Sequence, residues 1–180
     1  MPRNIEIKAR LAGEGELDTV AARAVKLATE GPRDIVQDDT FFCCDNGRLK
    51  LRAFPGGGGE LIFYRRADTA GPKESFYLLA PVEDPDPLRE ALTLAYGSMG
   101  RVRKRRTLYL VGRTRVHLDR VDGLGTFLEL EVVLREDEAA VAGDDEARAM
   151  MAVLGIAPAQ LVEAAYVDLL NAASRSRPYG

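Results

Sequence analysis

Residues 125–134 read Gly-Thr-Phe-Leu-Glu-Leu-Glu-Val-Val-Leu and alternate as a β-strand does. Phe127, Glu129 and Glu131 fall on one side; Leu128, Leu130 and Val132 fall on the other. The apolar side is as strong as a core face. The opposite side carries two carboxylates one strand-step apart. Like charges about 7 Å apart on one strand face repel each other unless cations lie near them. A solvated outer sheet face would explain one such strand. Other strands, however, repeat the pattern with the opposite charge.

Working outward, Asp122-Gly123-Leu124-Gly125 forms a hairpin with a strand at 113–121. There Arg113, Arg115, His117 and Asp119 oppose Thr114, Val116 and Leu118. A strand at 102–111 puts Lys104 and Arg106 on one face and Arg103 and Arg105 on the other. At the N-terminus, residues 3–11 set Asn4, Glu6, Lys8 and Arg10 against Ile5, Ile7, Ala9 and Leu11. A helical stripe follows from Leu17 to Thr29, with Gly31-Pro32 as its stop signal.

Further strands are predicted over 35–44, 48–54, 61–66 and 73–79. Asp45-Asn46-Gly47 joins the first two, and Arg48, Lys50 and Arg52 share a face. The Gly56–Gly59 run joins two strands and lacks the lysine and hydroxyl of a phosphate-binding loop. A short helix is predicted over 88–96, with two more over 144–154 and 158–171. Residues 1–173 read as a single domain, with a disordered tail over 174–180.

The chain has 180 residues, 46% hydrophobic and 29% charged, which is ordinary globular composition. A net charge of −3 and a pI near 5.4 argue against bulk binding to a nucleic acid polymer, though a local basic cavity stays open. No apolar run approaches a membrane span, and residues 1–6 lack a secretory apolar region. Cys43 and Cys44 are adjacent, so along a strand they point to opposite faces and an ordinary disulfide between them is disfavoured. They read as packing residues in a cytoplasmic protein. No stretch declares a subunit interface, and homodimerisation stays open.

Collected by face, Lys8, Arg10, Lys50, Arg52, Lys104, Arg106 and Arg115 are basic, and Glu6, Asp119, Glu129 and Glu131 are acidic. Each lies opposite an apolar face. About eight hairpin-linked strands of this kind suggest an α+β fold: an eight-stranded antiparallel β-barrel, closed or nearly closed, with a charged interior and helices packed outside. The competing reading is a half-open sheet with a salt-bridged solvent face. A charged interior persists only if its charges are paired, hydrated or neutralised by a ligand. Lysine and arginine opposite carboxylates suit a polyanion together with Mg2+ or Mn2+.

The stretches IEIKARL, GRLKLR, YRRA, VRKRRTLYLVG, RVHLDRVDGLGTFLELEVVL and AYVDLL resemble, in order, those of the CYTH family of triphosphate tunnel metalloenzymes, closest to its class IV adenylate cyclase branch. The resemblance implies an eight-stranded tunnel. Its first-strand E-x-E-x-K motif falls on Asn4, Glu6 and Lys8, with asparagine replacing the first glutamate. The family's basic positions fall on Lys50, Arg52, Arg65, Lys104 and Arg106. Its later acids fall on Asp119, Glu129 and Glu131.

The implied roles are catalysis by Glu6, Lys8 and Asp119, and metal ligation by Glu6, Glu129 and Glu131. Substrate contacts fall to Lys8, Lys50, Arg52, Arg65, Lys104 and Arg106, with Arg10 and Arg115 added from the face analysis. The implied substrate is ATP, cyclised to cyclic AMP and pyrophosphate. The alternatives are hydrolysis of an inorganic tripolyphosphate or organic triphosphate, or binding without turnover, which Asn4 would favour. His117 reads as a hydrogen-bonded wall residue with proton transfer as its alternative.

Overall fold

The computed structural model describes residues 3–66 and 72–175, the side chain of Arg66 excepted. Strand β1 (Arg3–Arg10) is followed by α1 (Glu14–Leu27), β2 (Glu30–Phe42), β3 (Arg48–Ala53), β4 (Gly59–Arg66) and β5 (Lys73–Val82). Then come α2 (Pro85–Tyr96), β6 (Ser98–Val111), β7 (Thr114–Val121), β8 (Gly125–Val133) and α3 (Ala140–Leu154). A 3-10 turn (Pro158–Gln160) and α4 (Tyr166–Arg175) complete the order.

All strand pairs are antiparallel, in the order β1-β5-β4-β3-β2-β6-β7-β8. Because β1 pairs with both β5 and β8, the sheet closes into a ring. The half-open alternative is thereby excluded. Alternation decides the sides. Ile5, Ile7, Leu118, Leu128, Leu130 and Val132 point outward and are buried beneath Leu17, Val20 and Ala24 of α1 and Ala147, Met151 and Leu154 of α3. Burying such side chains stabilises by about 1.5–3 kcal/mol each. Gly143 lets α3 lie close to the sheet, since a Cβ there would sit 2.6 Å from side-chain atoms of Ile5 and Leu134.

Two differences from the predicted elements bear on how the ring is built and closed. Helix α1 stops at Leu27, and Gly31-Pro32 lies inside β2 rather than ending the helix. The long strand β6 draws the chain into the sheet earlier: Thr29 N–H donates to Leu110 O at 2.7 Å, and Glu30 pairs with Leu110. A register irregularity between Glu30 and Arg33 accommodates the proline.

The helix predicted over 158–171 is interrupted at Leu161–Ala165. That stretch is an extended strap across one end of the ring. Leu161 bridges to Ala9, and Val162 N–H donates to Lys8 O at 3.0 Å. Lys8 Nζ and Lys73 Nζ donate to Ala164 O and Glu163 O at 3.2 and 2.9 Å. These interactions take backbone groups that a helix would have used. Of the expected tail, Ser174 and Arg175 belong to α4, and 176–180 lie outside the described residues, as do Ala70 and Gly71 of the predicted turn.

Candidate active site

The strap closes one end of the tunnel with an apolar stopper. Phe41, Val102, Val121 and Phe127 point inward from the strands and meet Ala165, Tyr166 and Val167. Above it lies a cavity of about 310 Å³, lined by cations from four sides and carboxylates from β1, β2, β4 and β8. A buried ring of charge is stable only where each group has partners, and the partners here fall into three groups.

On one wall, Asp39 of β2 accepts from Lys50 Nζ at 2.9 Å and from Arg52 Nε and Nη2 at 2.8 and 2.9 Å. Burial would raise the Asp39 pKa, but Lys50 and Arg52 hold it far below the usual carboxylate range. Burial lowers the Lys50 pKa to about 8 despite Asp39, with Arg52 and Lys104 adding repulsion.

At the stopper, Asp119 is wholly buried. It accepts from Arg106 at 2.7 and 2.6 Å, from Lys104 at 3.2 Å and from the Tyr166 hydroxyl at 3.0 Å. Burial opposes its ionisation, but Arg106 and Lys104 prevail and its pKa falls to about 2. The Tyr166 ring also lies under Lys8 Nζ, 4.0 Å from its centroid, and under Lys104 Nζ at 4.9 Å.

The third group is a carboxylate pole on β1 and β8. Glu129 pairs with Arg106 and, at 3.3 Å, with Lys8. Burial is again outweighed, by Lys104, Arg106 and Lys8, so its pKa is held well below normal. Glu131 pairs with Arg115 at 3.2 Å, and Glu6 stands opposite it in the β1–β8 register. His117 Nδ1 lies 3.7 Å from Glu131 and has no hydrogen-bond partner. Burial, with Arg106 next, depresses the His117 pKa to about 4, so the ring is neutral at pH 7.

Donor atoms of His117, Glu129 and Glu131 lie within 4.8 Å of one another. Two carboxylates and an imidazole whose Nδ1 has no hydrogen-bond partner fit a divalent cation.

The cavity brings together Glu6, Lys8, Lys50, Arg52, Lys104 and Arg106, with Arg115, Glu129 and Glu131 beside them. Asp119 lies beneath these residues rather than on the cavity surface. Arg10 and Arg65 are not in the cavity. Arg10 has inward parity but lies past the stopper, over the Phe127 ring, donating to Leu124 O at 2.9 Å. Arg65 has the parity opposite to cavity-lining Glu60, Ile62 and Tyr64, and donates to Asn46 O at 2.8 Å. Arg103 and Arg105 are exposed, as parity requires.

Asp39 and Tyr166, which line the cavity, were not assigned to the site from sequence. The alternation of Gln37, Asp39 and Phe41 carries the signal for Asp39. Tyr166 falls in the AYVDLL stretch that resembles the family, but its place in the site depends on the strap.

Residues 2–166 match the model of the CYTH domain. No curated protein sequence matches the chain. Among solved structures, the PH1012 protein of Pyrococcus horikoshii OT3 is similar with a TM-score of 0.81 at 23% identity, over 93% of this chain and 99% of that one. HpAC1 of Hippeastrum, assigned as an adenylyl cyclase but with a dominant triphosphatase activity, is similar with a TM-score of 0.65 at 18% identity, over 94% and 96%. The capping-enzyme triphosphatase of Mimivirus gives 0.58 at 10% identity, over 85% and 89%.

Proposed function

The chain belongs to the CYTH domain family, and from that premise we propose that it is a metal-dependent enzyme acting on a small-molecule triphosphate inside its tunnel. The observation that carries this reading is the polarity of the ring. Strand β3, with Lys50 and Arg52, is four strands from β8 in either direction, so its cations face Glu129 and Glu131 across the cavity. Lys50, Arg52, Lys104 and Arg106 would hold phosphate oxygens, with Asp39 and Asp119 fixing their side chains beforehand.

Glu129 and Glu131, with Glu6 beside them, would hold Mg2+ or Mn2+. A cation bound there offsets phosphate charge and polarises the phosphorus under attack. The stopper excludes water from the lower end.

Two reactions use this arrangement. In one, the ribose 3′-hydroxyl of ATP attacks the α-phosphorus, giving cyclic AMP and pyrophosphate; the sequence resemblance to class IV cyclases favours it. In the other, water attacks phosphorus and a P–O–P bond is hydrolysed; the dominant activity of structurally similar HpAC1 favours that. Phosphorus NMR of the products from ATP and from tripolyphosphate, each with Mg2+ or Mn2+, separates them. Cyclic AMP with pyrophosphate identifies the cyclase, and orthophosphate the hydrolase. Absence of turnover on both substrates would overturn the enzymatic reading and leave a binding module.

Two outcomes test the basic wall. Arg52→Ala should weaken tripolyphosphate binding about 10- to 100-fold, the value of a charge-assisted hydrogen bond. Arg105→Ala should change it less than about twofold, since an exposed outward charge contributes little. Isothermal titration measures both, and equal losses would contradict the face assignment.

Binding should also weaken as the pH rises through about 8, where Lys50 loses its proton. The sign follows from the depressed pKa: the folded chain releases this proton at lower pH than a free lysine does. Lys50→Arg should bind without that loss, and a pH titration of both proteins checks it.

A further inference from the structure

We infer that His117 supplies a nitrogen ligand to the cation held by Glu129 and Glu131, and that this site therefore takes Mn2+ in preference to Mg2+. The inference rests on the metal reading above and concerns which of this chain's donors complete that site. His117 stands on the inward face of β7, directly opposite Glu129 in the β7–β8 register. The residue is 5% exposed. The Nδ1 atom is buried without a hydrogen-bond partner, and the 3.7 Å to Glu131 Oε1 is too long to count as one.

A buried ring nitrogen normally finds a donor or an acceptor. The ring reaches the carboxylate oxygens: one nitrogen of His117 and one oxygen each of Glu129 and Glu131 lie within 4.8 Å of one another, and Nδ1 is 3.7 Å from Glu131 Oε1. An ion at ordinary bonding distances of about 2.0–2.2 Å touches all three after small side-chain movements.

The residue types decide the metal. Mg2+ prefers oxygen donors in near-ideal octahedra, whereas imidazole suits first-row transition ions. Asn4 Oδ1 and Ser75 Oγ, also buried and without partners, offer only neutral oxygens. His117 is thus the one donor in the cluster that separates the two ions. Arg106 and Arg115 pair with the same carboxylates. A free dication is repelled by these arginines, so the ion is best received together with a triphosphate.

The test is pulsed EPR of Mn2+ bound to the full chain with bis(methylene)triphosphate, an analogue that contains no nitrogen and is not cleaved. The expected spectrum shows 14N coupling from a directly bound imidazole. His117→Gln and His117→Asp should both lose that coupling, and the wild-type preference for Mn2+ over Mg2+ in competition should fall by about tenfold. Bound Mn2+ that depends on Glu131 yet shows no 14N coupling in the wild-type protein would overturn the assignment. So would equal wild-type affinity for the two ions. The wild-type spectrum decides even if a variant fails to fold. Nitrogen coupling in a protein that turns over no triphosphate would support the ligand assignment and count against the enzymatic reading alone.

Discussion

Glu131→Gln should lower triphosphate turnover by at least about a hundredfold at saturating metal, while the melting temperature moves by only a few degrees. The substitution keeps the shape of the side chain and removes its charge. Losing one carboxylate ligand removes both affinity for the cation and the charge that positions it, and single losses of electrostatic stabilisation at reacting centres commonly reach 10²–10³ in rate. The fold should tolerate the change because Glu131 is at the cavity surface. Its ionic contacts are Arg115, itself 37% exposed, and His117. Glu129→Gln is a poorer probe, since Glu129 also pairs with buried Arg106. Steady-state kinetics with a thermal melt checks the prediction. Near-normal turnover in a folded Glu131→Gln protein would remove this residue from the metal site.

Asp119→Ala should act in the opposite way, mainly on stability. The resemblance suggested a catalytic role for this residue, but every donor near it is already engaged. Arg106, Lys104 and Tyr166 converge on a carboxylate with no exposed surface. Removing it leaves Lys104 and Arg106 buried together with Glu129 as the one remaining carboxylate paired with them among the described residues. Breaking a buried pair by deleting one partner costs about 3–5 kcal/mol. For a chain of this size that corresponds to a fall in melting temperature of roughly 10 °C or more. Differential scanning calorimetry measures it. A melting temperature within about 2 °C of wild type would show that the network is not a structural anchor. On this account Asp119 would position Lys104 and Arg106, which line the cavity.

The ring itself was legible because strand parity is a strict geometric signal. Ile5, Ile7, Leu128 and Leu130 had to be buried on one side, and that choice placed Glu6, Lys8, Glu129 and Glu131 on the other. Parity gives the face but not the height along the tunnel. Arg10 shares the face of Lys8 and yet sits past Phe127, beyond the stopper. Arg65 was a matter of one residue of register, and β4 turns it away from the cavity.

The strap was not legible, because it depends on long-range bonds. Residues 158–171 carry helical periodicity, but Lys8 and Lys73, about 90 or more positions away, take the carbonyls of Ala164 and Glu163. Tyr166 reaches Asp119 only as a result. Asp39 was missed for a different reason. Only the pairing of β2 with β3 brings Lys50 and Arg52 onto it.

The most direct measurement is a crystal structure of the chain with bis(methylene)triphosphate and Mn2+, with anomalous data to locate the ion. The account predicts phosphates against Lys50, Arg52, Lys104 and Arg106 inside the ring, and an anomalous peak beside Glu129, Glu131 and His117. A second groove of about 310 Å³, lined by Arg103 and Arg105, offers the alternative location. Phosphate density there, with the tunnel holding only its own ion pairs, would contradict the account.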